Sequence, residues 1–214
     1  MSLRDDRHTA DNPAVTDPSV TDFSYKPTLT GEKVMLRPFR AEDDPALRDA
    51  LGDPEVLRLT GSVHAEPTQT EPKAADPERE REFRDWRNSQ PDRLDLAVID
   101  RASGGCVGEV VLNEYDADNQ SCNFRTLMAA MGRNRGLGTE ALRLIVGYGF
   151  ERLGLHRIHL EVYAFNPRAR HVYEKAGFVV EGVLRDALRY EDEWIDATVM
   201  SILAPEWQRH HGRP

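Results

Sequence analysis

The chain has 214 residues, of which 39% are hydrophobic and 30% charged, with a formal net charge of −9. That length fits one domain able to bury roughly 70% of its unfolded surface. No apolar run approaches the roughly 18–20 residues of a membrane span, the N-terminus lacks the apolar core of a signal peptide, and nucleic acid, which is bound through a basic face, is excluded as an expected partner.

Residues 1–27, rich in Asp, Thr, Ser and Pro, read as a flexible leader to a single domain over 28–208, with a polar tail over 209–214. Val34 and Leu36 alternate with Met35 and Arg37 in a first strand that Pro38 closes. A helix follows over 41–51, with Glu42, Asp43 and Asp44 in its first turn and Gly52 beyond its end. A short helix is expected over 54–59. Residues 60–77 hold several prolines and no period, which marks a long loop of the kind that is functional or mobile. Pro77 then suits the first position of a helix over 77–89, where Phe83, Trp86 and Arg87 form a stripe that places Trp86 in the core.

Three strands over 94–99, 106–113 and 121–131 are joined by short turns and read as an antiparallel meander. Cys106 and Cys122 fall on neighbouring strands, and pairing about the turn at 116–119 sets Cys122 opposite about residue 113, away from Cys106. Two buried free thiols in a reducing, cytoplasmic compartment are expected, with no disulfide. Neither cysteine has a histidine partner, and no His, Cys or carboxylate spacing completes a metal site, so no metal is expected. A helix over 139–153 follows, ended by Gly154 at C′; Gly147 and Gly149 inside it suit close approach to a sheet. The remaining elements are a strand over 157–163 with Ile158, Leu160 and Val162 on one face, a helix over 168–175 ended by Gly177, and strands over 178–183 and 194–203 about a polar connection over 186–193.

Between the meander and the long helix stands Gly132-Arg133-Asn134-Arg135-Gly136-Leu137-Gly138-Thr139. Glycines at a helix entrance leave backbone N–H groups uncovered beside about half a positive charge, which suits a phosphate. Gly138 is not followed by Lys-Ser/Thr, so this is no Walker A loop, and the strand before it belongs to a meander rather than a dinucleotide fold.

Arg133-Asn134-Arg135-Gly136-Leu137-Gly138 resembles the Q/R-x-x-G-x-G/A motif of the GNAT superfamily of acyl-CoA-dependent N-acyltransferases, and Asn166 through Tyr173-Glu174-Lys175-Ala176-Gly177-Phe178 is similar to its downstream run. Leu36-Arg37-Pro38, Glu181 through Asp186, Trp194-Ile195-Asp196 and Ser201 through Trp207 are similar to the RimJ/RimL branch. The resemblance implies a mixed α/β (α+β) fold with a mostly antiparallel twisted sheet of about 6–7 strands, helices on both faces, and a splayed parallel strand pair that forms the acyl-CoA cleft. It implies acetyl-CoA as co-substrate, held by backbone groups near Ala129 and Met131 and by Arg133, Asn134, Arg135, Gly136, Leu137, Gly138 and Thr139, with Asn166 and Arg170 as further contacts. Homodimers are common in this fold.

The resemblance sets Tyr173 at the general-acid position, where a phenol with a pKa of about 10 protonates a leaving thiolate whose conjugate acid has a pKa of about 8.5. As a plain residue it reads equally as a core aromatic, and Asn166 as an Asn-Pro helix start. Ala169 stands where some relatives carry a serine, so Tyr173 is the remaining hydroxyl of that helix segment. The acceptor amine must lose a proton. A lysine-like amine is neutral roughly once in 2,500 at pH 7, a cost of about 4.6 kcal/mol, against about 1–1.4 for an α-amine. Glu109 is the carboxylate expected to face the cleft as base, ahead of Glu114 and Asp116. The reading is direct transfer of acetyl to a primary amine, on a small molecule or a protein N-terminus, with residues 60–77 and 186–193 flanking the acceptor. A larger acyl group such as succinyl, or a non-catalytic acyl-CoA-binding module, are the alternatives.

Overall fold

The computed structural model describes residues 21–66 and 75–211. Its elements are β1 (Leu29–Thr30), β2 (Val34–Arg37), α1 (Asp44–Gly52), α2 (Pro54–Leu59), α3 (Pro77–Ser89), β3 (Leu94–Asp100), β4 (Cys106–Asp116), β5 (Ser121–Met128), α4 (Leu137–Glu151), β6 (Arg157–Tyr163), α5 (Pro167–Lys175), β7 (Val179–Tyr190), β8 (Glu193–Leu203) and α6 (Ala204–His211). Single 3-10 turns precede α1, over Ala41–Asp43, and α4, over Ala130–Gly132. Prolines at the first turns of α1, α2, α3 and α5 start helices where a backbone N–H has no intrahelical acceptor.

The strands form one eight-stranded sheet in the order β1-β2-β3-β4-β5-β6-β8-β7. Every neighbouring pair is antiparallel except β5–β6, because α4 crosses over between them. The expected mixed α/β architecture holds, with eight strands against about 6–7. β3 is buried along its whole length. Leu94, Leu96 and Val98 join the core of α4, with Ala141, Leu142, Ile145 and Val146. Ala97 and Ile99 face the other way, onto Phe39 and Leu47 of the α1 side. Gly149 lets α4 approach the sheet: a Cβ there would lie 3.0 Å from Ile158 Cδ1 and 3.3 Å from Leu112 Cδ1.

Four segments differ from expectation. Within the leader, residues 21–27 are packed: Phe23 is 1% exposed against the Tyr115 ring, and Lys26 Nζ donates to the carbonyls of Phe23, Gln90 and Arg93. One aromatic in a polar stretch supplies this anchor, which average composition hides; residues 1–20 lie outside the described set. Residues 204–211, the end of the expected domain and the first three residues of the expected tail, form α6, whose Trp207 packs on Phe150 and beside Gly147 and donates to Glu151 at 3.1 Å, while residues 212–214 lie outside the described set. The polar connection over 186–193 is instead a hairpin arm, since β7 runs to Tyr190 with register shifts between Val180 and Gly182 and between Leu184 and Leu188.

On α3 the stripe points the opposite way. Phe83 and Trp86 are 50% and 45% exposed and stack on each other at 5.9 Å, so Trp86 is not in the core. Arg87 is the buried member, because it reaches Asp95 at 3.1 Å and Glu109 at 2.6 Å beneath the Phe39 ring. Burying a cation is tolerable only with such partners.

Candidate active site

β5 and β6 are paired only from Ser121 with Arg157 to Asn123 with His159. Beyond that point β5 stays on β4 and β6 stays on β8, so the two strands part and a gap opens in the sheet. The gap is the floor of a cavity of about 690 Å³, walled by α2, β5, the turn into α4, β6 and α5. That volume lies in the range of small-molecule sites. The Gln120 carbonyl accepts from His156 and Arg157, so it faces β6. Strand alternation then turns the backbone groups of Phe124, Thr126 and Met128 into the gap.

The expected backbone partners, Ala129 and Met131, are not there. The Ala129 N–H donates to the Val107 carbonyl and its carbonyl accepts from Gly132, both at 2.9 Å, so both groups are taken. Met131 stands in the 3-10 turn, 65% exposed and off the cavity wall, with its carbonyl accepting from Arg135. β5 ends at Met128 because the chain folds back over Gly132, where a Cβ would lie 3.0 Å from the Val107 carbonyl oxygen.

At one end of the gap α4 begins. Asn134 (φ 61°) and Gly136 (φ 79°) are both left-handed, an alternation that turns successive N–H groups toward one point. Gly136 is the N-cap of α4 and supplies no side-chain acceptor, so the first N–H groups of the helix, from Leu137 to Thr139, keep their donor capacity. Asn134, Gly136, Gly138 and Thr139 line the cavity, while the Leu137 side chain is buried beneath. A diphosphate fits this cradle: the donors are backbone, and the left-handed Gly136 leaves the approach open.

The basic side chains of the motif are already engaged. Arg133 donates through Nε to the Met128 carbonyl at 2.9 Å, through Nη2 to Asp53 at 3.0 Å and through Nη1 to Glu55, so it ties the cradle to α2. Arg135 reaches Asp100 at 2.9 Å and holds that carboxyl below its usual range. Local sequence gives no sign of one further cation, Lys33, since it lies far from the motif. Its Nζ is 3.5 Å from where a Cβ on Gly136 would sit, and it has no ion-pair partner among the described residues. Glu140 of α4 accepts from the Lys33 backbone N–H at 2.9 Å, which brings that strand end onto the cradle.

Asn166 caps α5: its side-chain oxygen accepts from the Ala169 N–H at 3.1 Å, and the residue also lines the cavity. Arg170 is on the outer surface of α5, paired with Glu174 at 3.0 Å; Arg168 and His171 line the cavity in its place. Tyr173 reaches the cavity wall from α5 and is 9% exposed, edge-on to Phe124 at 6.2 Å and near Phe178 at 6.0 Å. Burial pushes its phenol up to about 12. It is both a core aromatic and a cavity hydroxyl.

Glu109 also lines the cavity, in ion contact with Arg87, and its carbonyl accepts from the Thr126 hydroxyl at 2.9 Å. Glu114 and Asp116 are exposed and off the cavity wall. Glu161 of β6 lines the cavity with no ion-pair partner among the described residues. Cys106 and Cys122 are buried and free, their thiols pushed by burial up to about 11 and about 12, which leaves no thiolate at neutral pH. Among the described residues no cluster of His, Cys, Asp and Glu has metal-site geometry. The described part of the long loop meets the hairpin arm: the Glu191 N–H donates to the His64 carbonyl at 2.6 Å. Residues 67–74 of that loop lie outside the described set.

A mixed sheet opened between two parallel strands, with the gap ending on an uncapped helix N-terminus, is the frame of this site. Residues 33–179 match the family described as Acetyltransferase (GNAT) domain. The chain belongs to that family and is an N-acetyltransferase. It is 26% identical over 186 residues to the SPbeta prophage-derived uncharacterized N-acetyltransferase YokL of Bacillus subtilis, across 86% of this chain and 97% of that one. It is 31% identical over 110 residues to the spermidine N(1)-acetyltransferase of Vibrio cholerae, across 51% of this chain and 64% of that one. The solved structure of spermidine N-acetyltransferase from Vibrio cholerae in complex with CoA and spermine shares the fold, with a TM-score of 0.70 at 22% identity over 83% of this chain and 99% of that one.

Proposed function

We propose that the chain transfers an acetyl group from acetyl-CoA to a primary amine on a cationic acceptor, in a ternary complex and without a covalent enzyme intermediate. The observation that carries this reading is the gap between β5 and β6, which runs from the Tyr173 wall to the open N-terminus of α4. Acetyl-CoA supplies an acyl thioester open to attack by an amine. The N–H groups from Asn134 to Thr139 hold phosphate charge, with Lys33 above them and Arg133 bracing the loop from α2. Backbone groups of Phe124 and Thr126 align the pantetheine arm of the coenzyme as an added strand would, and the amide of Asn166 borders it. Tyr173 holds a proton for a leaving thiolate.

At the acceptor end, Glu109 is fixed by Arg87 and suits an ammonium or its proton. Glu161 adds a second, unpaired carboxylate. Glu66 and Glu191 stand where the long loop meets the hairpin arm. These carboxylates favour a di- or polyamine, the acceptor class named for the Vibrio cholerae relative. The test is a panel of amines with acetyl-CoA, read by release of free thiol. Spermidine and short diamines are expected to turn over faster than uncharged amines or N-terminal peptides; turnover restricted to peptides would overturn the polyamine reading. Glu161→Gln is expected to raise KM for the cationic acceptor about 5-fold, the loss of one partly solvated ion contact, and to leave KM for acetyl-CoA unchanged.

A further inference from the structure

α3 is joined to the sheet in an unusual way. Its one buried side chain is a cation, Arg87, and its two large aromatics lie outside. Where a helix only needs anchoring, apolar side chains of similar volume hold it as well or better, since a buried ion cluster carries a desolvation cost. The aromatics account for the arrangement. The rings of Phe39 and Phe83 lie 4.0 and 5.3 Å from the Arg87 guanidinium carbon, and Trp86, stacked on Phe83, lies 5.1 Å from that of Arg93. The exposed stripe is therefore a roof over two arginines. Asn88 holds Phe39 in place with a donated and an accepted bond to its backbone, at 3.0 and 3.2 Å.

Beneath the roof the charges alternate. Asp95 of β3 and Glu109 of β4 point to the same face of the sheet, since Asp95 stands opposite Val111 and Ala97 opposite Glu109. Neighbouring carboxylates repel, and Arg87 lies between these two, 3.1 Å from Asp95 and 2.6 Å from Glu109. Arg93 takes Asp95 with a fork of two bonds, at 2.6 and 2.8 Å. Lys26 donates to the carbonyls of Gln90 and Arg93 and so fixes the turn that returns Arg93 to the cluster. The result is directional. Arg87 takes only Oε2 of Glu109, and Oε1 has no partner among the described residues. Glu109, which lines the cavity, is thus held by one oxygen and keeps the other for a ligand.

We infer that Arg87 is a positioning residue for acyl transfer: it turns one oxygen of Glu109 to the acceptor amine, and Asp95, Arg93 and the aromatic roof hold Arg87 in the orientation that does so. The inference rests on the proposed acceptor role of Glu109 and adds to it the residues, themselves off the cavity wall, on which that role depends. A guanidinium suits the task because its planar fork binds two carboxylates at once, whereas an ammonium on a flexible stem does not fix their direction.

The test is steady-state kinetics of the full chain with acetyl-CoA and the fastest amine of the panel, on Arg87→Lys, Glu109→Gln and the double variant, with far-UV circular dichroism to check the fold of each. Arg87→Lys keeps the charge and loses the fork. It is expected to lower kcat/KM for the amine about 10- to 100-fold, the range of one charge-assisted hydrogen bond, and to leave KM for acetyl-CoA within about 2-fold. In the Glu109→Gln chain the same change is expected to cost less than about 2-fold more, because the two residues act as one unit. Phe83→Ser alters only a half-exposed ring, so the fold survives it. It is expected to lose about 3-fold for the amine, the worth of one partly solvated cation–π contact, and again only while Glu109 is present. Losses that simply add in the double variants overturn the inference, since Arg87 then only anchors α3. So does an Arg87→Lys chain with full activity beside an impaired Glu109→Gln, which leaves the acceptor role of Glu109 standing. A fully active Glu109→Gln chain overturns the inference together with that role.

Discussion

Tyr173→Phe is expected to lower kcat about 100-fold or more, the usual contribution of a positioned general acid, and to leave KM for acetyl-CoA within about 2-fold. A 100-fold loss corresponds to about 2.7 kcal/mol of transition-state stabilisation. The phenol sits against Phe124 and Phe178, contacts that phenylalanine preserves, so the change removes the hydroxyl and little packing. Burial shapes the pH profile as well. A phenol pushed up to about 12 keeps its proton at every pH below that, so it adds no falling limb to kcat up to about pH 11. The rising limb belongs to the acceptor amine, which must be neutral to attack, and it is expected at the same pH in the variant. Free-thiol release across pH 6 to about 10.5 measures both. Unchanged turnover in the variant would remove Tyr173 from the chemistry.

Gly136→Asp is expected to weaken acetyl-CoA binding by 100- to 1,000-fold. A carboxylate on the N-cap of α4 would sit about 4 Å from a bound diphosphate, where like charges repel by about 4 kcal/mol at an effective dielectric of 20. Glycine at φ 79° also spares the left-handed penalty, about 1–2 kcal/mol for most residues and less for Asp and Asn. Gly136→Asn separates the two effects, since it has the same shape without the charge, and it is expected to lose 10-fold or less. Titration calorimetry with acetyl-CoA reads both variants, and circular dichroism checks that α4 still forms. Equal affinity in the wild type and the Asp variant would rule out the phosphate cradle.

The distance between sequence and structure is uneven along the chain. Elements with punctuation were legible: α2 and α3 begin at Pro54 and Pro77 because proline fixes the first turn, and both span the expected residues. The glycine stretch was legible as a helix entrance, since left-handed Gly136 and the uncapped α4 are local properties. What could not be read was which groups were already taken. Arg133 finds Asp53 across 80 positions, and the Ala129 N–H finds Val107 through a tertiary ladder. Arg87 hid in an aromatic stripe because a periodic pattern marks which face is shared, not whether the aromatic or the cation turns inward. Arg170 lost its expected place by a similar local choice, an i,i+4 pair with Glu174 on the outer face of α5.

The prior engagement of Arg133 and Arg135 has a consequence for how the donor site responds to salt. Both guanidinium groups face carboxylates in this structure, so their charge is largely cancelled at the cradle. What remains to meet phosphate there is a fan of backbone dipoles, fixed in place by the helix, and the ammonium of Lys33. Dipoles at contact distance are little affected by a Debye length of about 8 Å at physiological ionic strength, whereas an exposed ammonium is screened. Raising the salt concentration should therefore remove the contribution of roughly one charge at the cradle rather than three, and leave the larger part of its grip intact.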